Sequence, residues 1–345
     1  MNRQTLVYFL ILISIIYLFG CQQKKTNITE PEQQNSPQKN KEDDNENNNE
    51  DDSEPTLAEI EKNIRNEFDA RAKFTYELYD SLLGELSNAA RYQVMSLNDF
   101  IQTTDDSKIL VGLRHDIDAN PFKAMEMAAL EESRGFSSTY YVLHSTSYYG
   151  RSTEKGFVRN KAMSPVYQTI FNRGHEIGIH NDLIQLIVFY NIDPIAFITD
   201  EIEYYTQLGI PVWGTSAHGG RLVLQNNLNN YYVFSDYNQD LKFECEGEIY
   251  LYSGGYFAQD SLFIYPNFAD TTSAEIVNTA LPPKLSLHDY GFEYEAYHIE
   301  YNKYLTDSGG KWKNGSITDP IDFIRQCKAG DRLVILTHPL WWGRK

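Results

Sequence analysis

Five short apolar runs in this chain stop at polar side chains of the same chemical kind. "ILVGL" runs into "RHDID", "YYVL" into "HST", "EIGI" into "HND", "PVWGTSA" into "HGG" and "RLVIL" into "THP". The runs belong to strand candidates "KILVGLRHD", "SSTYYVLHS", "HEIGIHND", "IPVWGTSAH" and "DRLVILTHP", with "NYYVFSDY" as a sixth. Between several of them lie "PFKAMEMAALEESRG", "SPVYQTIFNRG" and "DPIAFITDEIEYYTQLG", helix-length segments that each close on a glycine suited to a left-handed C-terminal cap. Strand, helix, strand in repetition argues for a parallel sheet with helices outside it. The number of units favours a barrel-like sheet over an open one. In such a fold the carboxyl ends of the strands converge on one face, where sites are built. Five strand ends that deliver His or Asp there predict a polar active or binding site.

Side chains alternate along an extended strand, so "LRHDID" places Arg114, Asp116 and Asp118 on one face and His115 and Ile117 on the other. By the same period His180 and Asp182 share a face, and His175 lies opposite them. Asp116, Asp118, His180 and Asp182 can therefore gather without bending any strand. Carboxylate and imidazole ligands together suit a borderline divalent ion, with zinc the expected choice.

These motifs resemble the polysaccharide deacetylase family, also called the NodB-homology domain. "RHDID" stands where the family has an Asp-Asp pair ending its first strand, "RGHEIGIHND" matches its "GHEIG"-type turn, and "LTHP", with Leu336 and His338, fits its last Leu-x-His strand end. The resemblance runs from about Lys108 to the C-terminus and implies a distorted (β/α) barrel of parallel strands with outer helices. It implies a metal-dependent hydrolase removing acyl groups, N-acetyl above all, from a glycan. Asp116 is then the general base and His338 the acid that protonates the departing amine or alcohol. The ion activates water and stabilises the oxyanion.

This sequence departs from the family at three places. The acid pair is spaced out as Asp116 and Asp118, Ile184 stands where a second metal-binding His is usual, and "TSAHGGR" replaces the usual Arg followed by Pro. The expected metal ligands are Asp118 and His180, with His218 filling the place that Ile184 leaves. Arg114, Asp182, Asp307 in the Gly-rich "YLTDSGGKW", and Trp341 and Trp342 of "HPLWWGRK" are expected against the substrate. Tyr140, Tyr141, Tyr148, Tyr149, Trp213 and Trp312 could also stack on a sugar, although the core of a parallel sheet needs aromatic side chains too.

The chain begins "MNRQTLVYFLILISIIYLFGCQQKK". Its apolar run is shorter than the roughly 20 residues a bilayer span needs, and it reads as a secretory signal. "LFGC" resembles a bacterial lipobox, so residues 1–21 are expected to be a lipoprotein signal with Cys21 acylated. That places the protein in the cell envelope on the extracytoplasmic side of a membrane, the outer membrane in a Gram-negative cell if Gln22 is read as a sorting residue. Residues 22–57 hold almost nothing capable of core burial and are expected to be a disordered acidic tether. About 290 residues remain for one domain over 58–345, enough to bury a core. The formal net charge is −18, and no basic stripe relieves it, which excludes nucleic acid as a partner. Cys245 and Cys327 either pair or stay as buried thiols.

Two other functions keep the same barrel. One is a carboxylate-based glycosidase, which needs two acids facing each other across a sugar-width cleft. The other is a non-catalytic glycan-binding lipoprotein, motivated by Ile184 and the missing Arg-Pro.

Overall fold

The computed structural model describes residues 55–344, apart from residues 154–155, 191, 226–228, 235, 237–241, 246–247, 252–254, 259–260, 265–274, 278–284 and 314–318. The expected signal segment with Cys21, the tether as far as residue 54, and the side chain of Cys245 lie outside the described residues. Cys327 is a free, buried thiol.

The N-terminal helical stretch forms two helices. In α1 (Leu57–Phe68) Thr56 and Glu59 cap the start reciprocally, and Ile60 and Ile64 turn inward. In α2 (Tyr76–Leu86) the buried side chains are Tyr79, Leu82, Leu83 and Leu86, the spacing of one helix face. Phe74 and Thr75 between them pair in parallel with Trp342 and Gly343, tying this end of the domain to the C-terminal segment.

Eight strands make the main sheet: β1 (Tyr92–Met95), β2 (Ile109–Ile117), β3 (Thr139–Leu143), β4 (Glu176–Asn181), β5 (Gly214–Ala217), β6 (Tyr294–Glu295), β7 (Lys303–Thr306) and β8 (Arg332–Thr337). Their order is β6-β5-β4-β3-β2-β8-β7, with β1 beside the first half of β2, and every pairing is parallel. The sheet curls into a half-barrel with helices around it. No ladder joins β6 to β7 among the described residues. All nine residues of β2 are buried, as a strand covered on both faces requires.

The three predicted crossover helices form as α4 (Pro121–Ser133), α5 (Ser164–Asn172) and α7 (Pro194–Gln207). They are preceded in chain order by the short α3 (Leu97–Gln102), and α6 (Leu183–Tyr190) follows β4. Gly135, Gly174 and Gly209, just past the crossover helices, have φ of 72°, 89° and 74°, the left-handed cap that the sequence called for. "NYYVFSDY" departs from expectation. Asn230–Val233 is a 3-10 turn, and among the described residues of this run only Phe234 makes a bridge, to Leu285. The edge of β5 away from β4 is taken by β6.

The interior of the half-barrel is filled by rings laid over glycines. The Tyr141 hydroxyl donates to Tyr294 Oη at 2.8 Å, and Tyr294 donates to Glu176 at 2.7 Å. A Cβ at Gly178 would fall 2.4 Å from the Tyr141 ring, and one at Gly214 would fall 2.2 Å from that of Tyr294. Tyr140, Tyr141, Tyr148 and Tyr149 are all core residues, so none of them is free to stack on a sugar. Gly214→Ala is expected to cost about 1–3 kcal/mol through overpacking, read as a lower urea midpoint. An unchanged midpoint would mean that the Tyr294 ring has room to move.

Candidate functional site

The last residues of β2 place their side chains alternately, and the two faces hold different chemistry. On the outer face His115 lies 2.7 Å from Glu131 of α4 and 2.6 Å from Thr337 Oγ1. Glu131 also accepts from Tyr140 and Ser138 and lies 3.5 Å from His175 Nδ1. Burial pushes the Glu131 carboxyl up, but His115 and His175 outweigh it and hold the carboxyl at about 2. This fully buried cluster locks α4 to the sheet.

On the inner face Arg114 forks onto Asp116, Nε to Oδ1 at 2.9 Å and Nη2 to Oδ2 at 2.8 Å, with no exposure of the guanidinium. Arg114 also donates to Ser216 Oγ, and its charge lies 4.4 Å from the Tyr297 ring centre. Burial alone would raise the Asp116 carboxyl; the charge of Arg114 beside it outweighs this and holds it far below the usual range. Just past the strand the Asp118 amide turns back to the Asp116 carbonyl at 3.1 Å. That turn aims Asp118 at the same imidazole.

His180, on β4, fixes its own tautomer. Its Nδ1 lies 2.9 Å from the Ser216 carbonyl, which can only accept, so Nδ1 carries the hydrogen and Nε2 the lone pair. That Nε2 lies 3.4 Å from Asp116 Oδ2 and 3.4 Å from Asp118 Oδ1. Asp118 Oδ1 is buried with no hydrogen-bond partner. Beyond the end of β5, the His218 ring meets that of His180 edge to face at 5.0 Å. Asp118, His180 and His218 each offer one ligand atom, and these atoms all lie within 4.8 Å of one another, a group that could hold a metal ion. Electron-rich atoms facing each other around an orphaned carboxylate oxygen fit a cation.

Around this group lie residues whose work is support. Asp182 accepts from Ser145 Oγ at 2.6 Å and from Asn230 Nδ2 at 3.0 Å, and it lies 3.3 Å from His218 Nδ1, an ion-pair distance without hydrogen-bond alignment. His144 is buried and accepts the Asp182 amide at 2.7 Å; burial lowers its pKa to about 3, so it is neutral. Burial would lower His218 too, but Asp182, Asp118 and Asp116 raise it. Glu295, at the end of β6, accepts the amides of Ala217 and Tyr297, both at 2.8 Å, and its burial raises it to about 7.

His338 follows β8. Its backbone N–H and its Nδ1 both meet Asp307, at 3.0 and 2.7 Å from Oδ1, and Trp342 Nε1 donates to Asp307 Oδ2 at 2.8 Å. Burial pushes His338 down, yet Asp307, Asp118 and Asp116 together raise it to about 9. It is an imidazolium at neutral pH.

The structure therefore brings Asp116, Asp118, His180 and His218 together. It moves several expected substrate contacts inward. Arg114 is enclosed and committed to Asp116, Asp182 to Ser145 and Asn230, and Asp307 to His338. Trp342 is fully buried, its ring centre 5.0 Å from Phe74 and 5.1 Å from Tyr79, because its N–H finds a carboxylate inside the core. Only Trp341 of this group keeps partial exposure. Sequence reasoning missed Ser216, Glu295 and Asn230. Ser216, two residues before His218, is the one that strand alternation could have found.

No protein-family model matches the chain, and no curated protein matches it. Among the described residues no helix is long and apolar enough to cross a membrane.

The His338 clamp has a sign in pH. A folded pKa of about 9 against an ordinary value of 6.5 means that its stabilisation is complete below pH 6.5 and lost as pH rises through about 9. Urea midpoints are expected to fall over that interval more steeply in the native chain than in His338→Gln. Parallel slopes would remove the clamp from the account.

Proposed function

We propose that this chain is a metal-dependent hydrolase that removes acyl groups, N-acetyl above all, from a glycan. On this reading the half-barrel is a distorted barrel of the NodB-homology type. The observation that carries the proposal is the convergence of Asp118, His180 and His218 beside a carboxylate and an imidazolium. The resemblance of "RHDID", "RGHEIGIHND" and "LTHP" to the deacetylase motifs supports it. Asp118, His180 and His218 would hold the ion, and two nitrogens with one oxygen favour zinc. When bound, such an ion raises the acidity of water and polarises an acyl carbonyl.

The chain's own residues then divide the proton traffic. Asp116 is held anionic and fixed in orientation by Arg114, so it accepts a proton only from a water of raised acidity. His338 starts protonated, with Asp307 holding Nδ1, and Nε2–H is left to donate to the departing amine or alcohol. Asp307 and Trp342 fix that ring in place. Asp116 and Asp118 reach one imidazole nitrogen at equal distance, an arrangement that favours deacylation over a glycosidase pair. Non-catalytic glycan binding keeps two supporting observations, the apolar Ile184, which packs in the core, and the missing Arg-Pro. The lipobox-like "LFGC" supports anchoring through Cys21 in the cell envelope, facing the extracytoplasmic side.

Metal analysis of the purified chain is expected to find a divalent ion that Asp118→Ala and His180→Ala lose, together with acetate release from acetylated oligosaccharides. A metal-free chain with both variants fully active would reject the mechanism. A metal-bound chain that binds glycan without turnover would establish the non-catalytic reading. His338→Gln is expected to lower kcat by about 100-fold or more with little change in KM; equal losses in both would count against its role as acid.

A further inference from the structure

We propose that Asp182 is the positioning residue that makes His218, carried beyond a strand end, the third ligand of the ion, in place of any side chain from α6. This rests on the metal reading above and says how the chain meets its demand with Ile184 on the helix.

The first turn of α6 is closed to a ligand. The Ile184 side chain is fully buried in the main apolar cluster, and its amide donates to Asn230 Oδ1 at 3.0 Å. His218 is instead tied by two hydrogen bonds of its backbone and faced by a carboxylate. Its amide donates to the Asn181 carbonyl at 2.8 Å, its carbonyl accepts Asn230 Nδ2 at 2.8 Å, and its Nδ1 faces Asp182 Oδ2 at 3.3 Å. Gly220 leaves room for the ring, since a Cβ there would lie 3.0 Å from His218 Cε1 and Nδ1.

Asp182 is suited to orient and unsuited to ligate. Ser145 holds Oδ2 at 2.6 Å, Asn230 holds Oδ1 at 3.0 Å, and His144 holds the amide at 2.7 Å. Both carboxylate oxygens thus already accept a hydrogen bond, and the group is almost wholly buried. A carboxylate facing one imidazole nitrogen keeps the hydrogen on that nitrogen, which turns the lone pair of Nε2 outward and strengthens it as a donor to metal. Asn230 belongs to the segment that fails to form a strand, and here that turn has a use: its one side chain joins Asp182, His218 and the start of α6.

The test is zinc affinity of the full chain, measured by competition with a chromophoric chelator, and the His218 tautomer in the zinc-free chain, read from imidazole nitrogen chemical shifts. Asp182→Asn is expected to bind zinc about 10- to 100-fold more weakly and to lose the Nδ1–H preference of His218, with the native circular dichroism spectrum retained. Unchanged affinity and tautomer in that variant would overturn the proposal. If Asp182→Asn does not fold, Ser145→Ala decides the matter: it removes the bond that fixes the orientation of Oδ2 toward His218 and is expected to weaken zinc binding as well, and no shift would overturn the proposal. An unmodified chain that binds no zinc would overturn the metal reading itself, and this one with it. That result is distinguishable from normal binding that survives Asp182→Asn.

Discussion

Arg114, His115 and Asp116 are consecutive on a strand shut away from water on both faces, and none of the three can be left without a partner. The rest of the architecture answers that demand. The outer face receives Glu131 from α4, and with it Tyr79, Ser138 and Tyr140. The inner face lets Arg114 and Asp116 satisfy each other and draws Ser216 from three strands away. Because the pairing inside β2 neutralises itself, the neighbouring strands are free to bring lone pairs toward Asp118 instead of more cations.

Much of this was readable before any coordinate. The five strand ends, the alternation that separates His115 from its neighbours, and the glycine-capped crossover helices all follow from rules with a range of a few residues. What was not readable depends on pairing at a distance. β6 has two residues and β7 four, too few to show a period, and both exist because longer strands offer them an edge. Glu295 was hidden with β6. Asn230 sat in a run whose aromatic residues promised a strand, and its first four residues wind into a 3-10 turn instead. Trp342 was expected against the substrate, and a single carboxylate, Asp307, holds its N–H inside the core.

The electrostatics of the site reflect a division between rings that hold protons and rings that offer lone pairs. His338 is backed by a carboxylate and surrounded by others, and stays charged. His144 is fully enclosed with an amide for a partner, and stays neutral. His180 faces a carbonyl, which sets its tautomer. One imidazole at these strand ends is thus charged and two are neutral with the hydrogen on Nδ1, each form dictated by the atoms around the ring.

The sheet is also unusual in where its centre comes from. β2 lies early in the chain and its partner β8 near the far end, so the His115 to Thr337 contact spans 222 positions. Closing so large a loop spends entropy before any ladder repays it, which makes this central pairing a slow step of folding. Asp116 and His338 sit on the two sides of that closure, so no partly folded intermediate lacking it can hold both catalytic candidates at once.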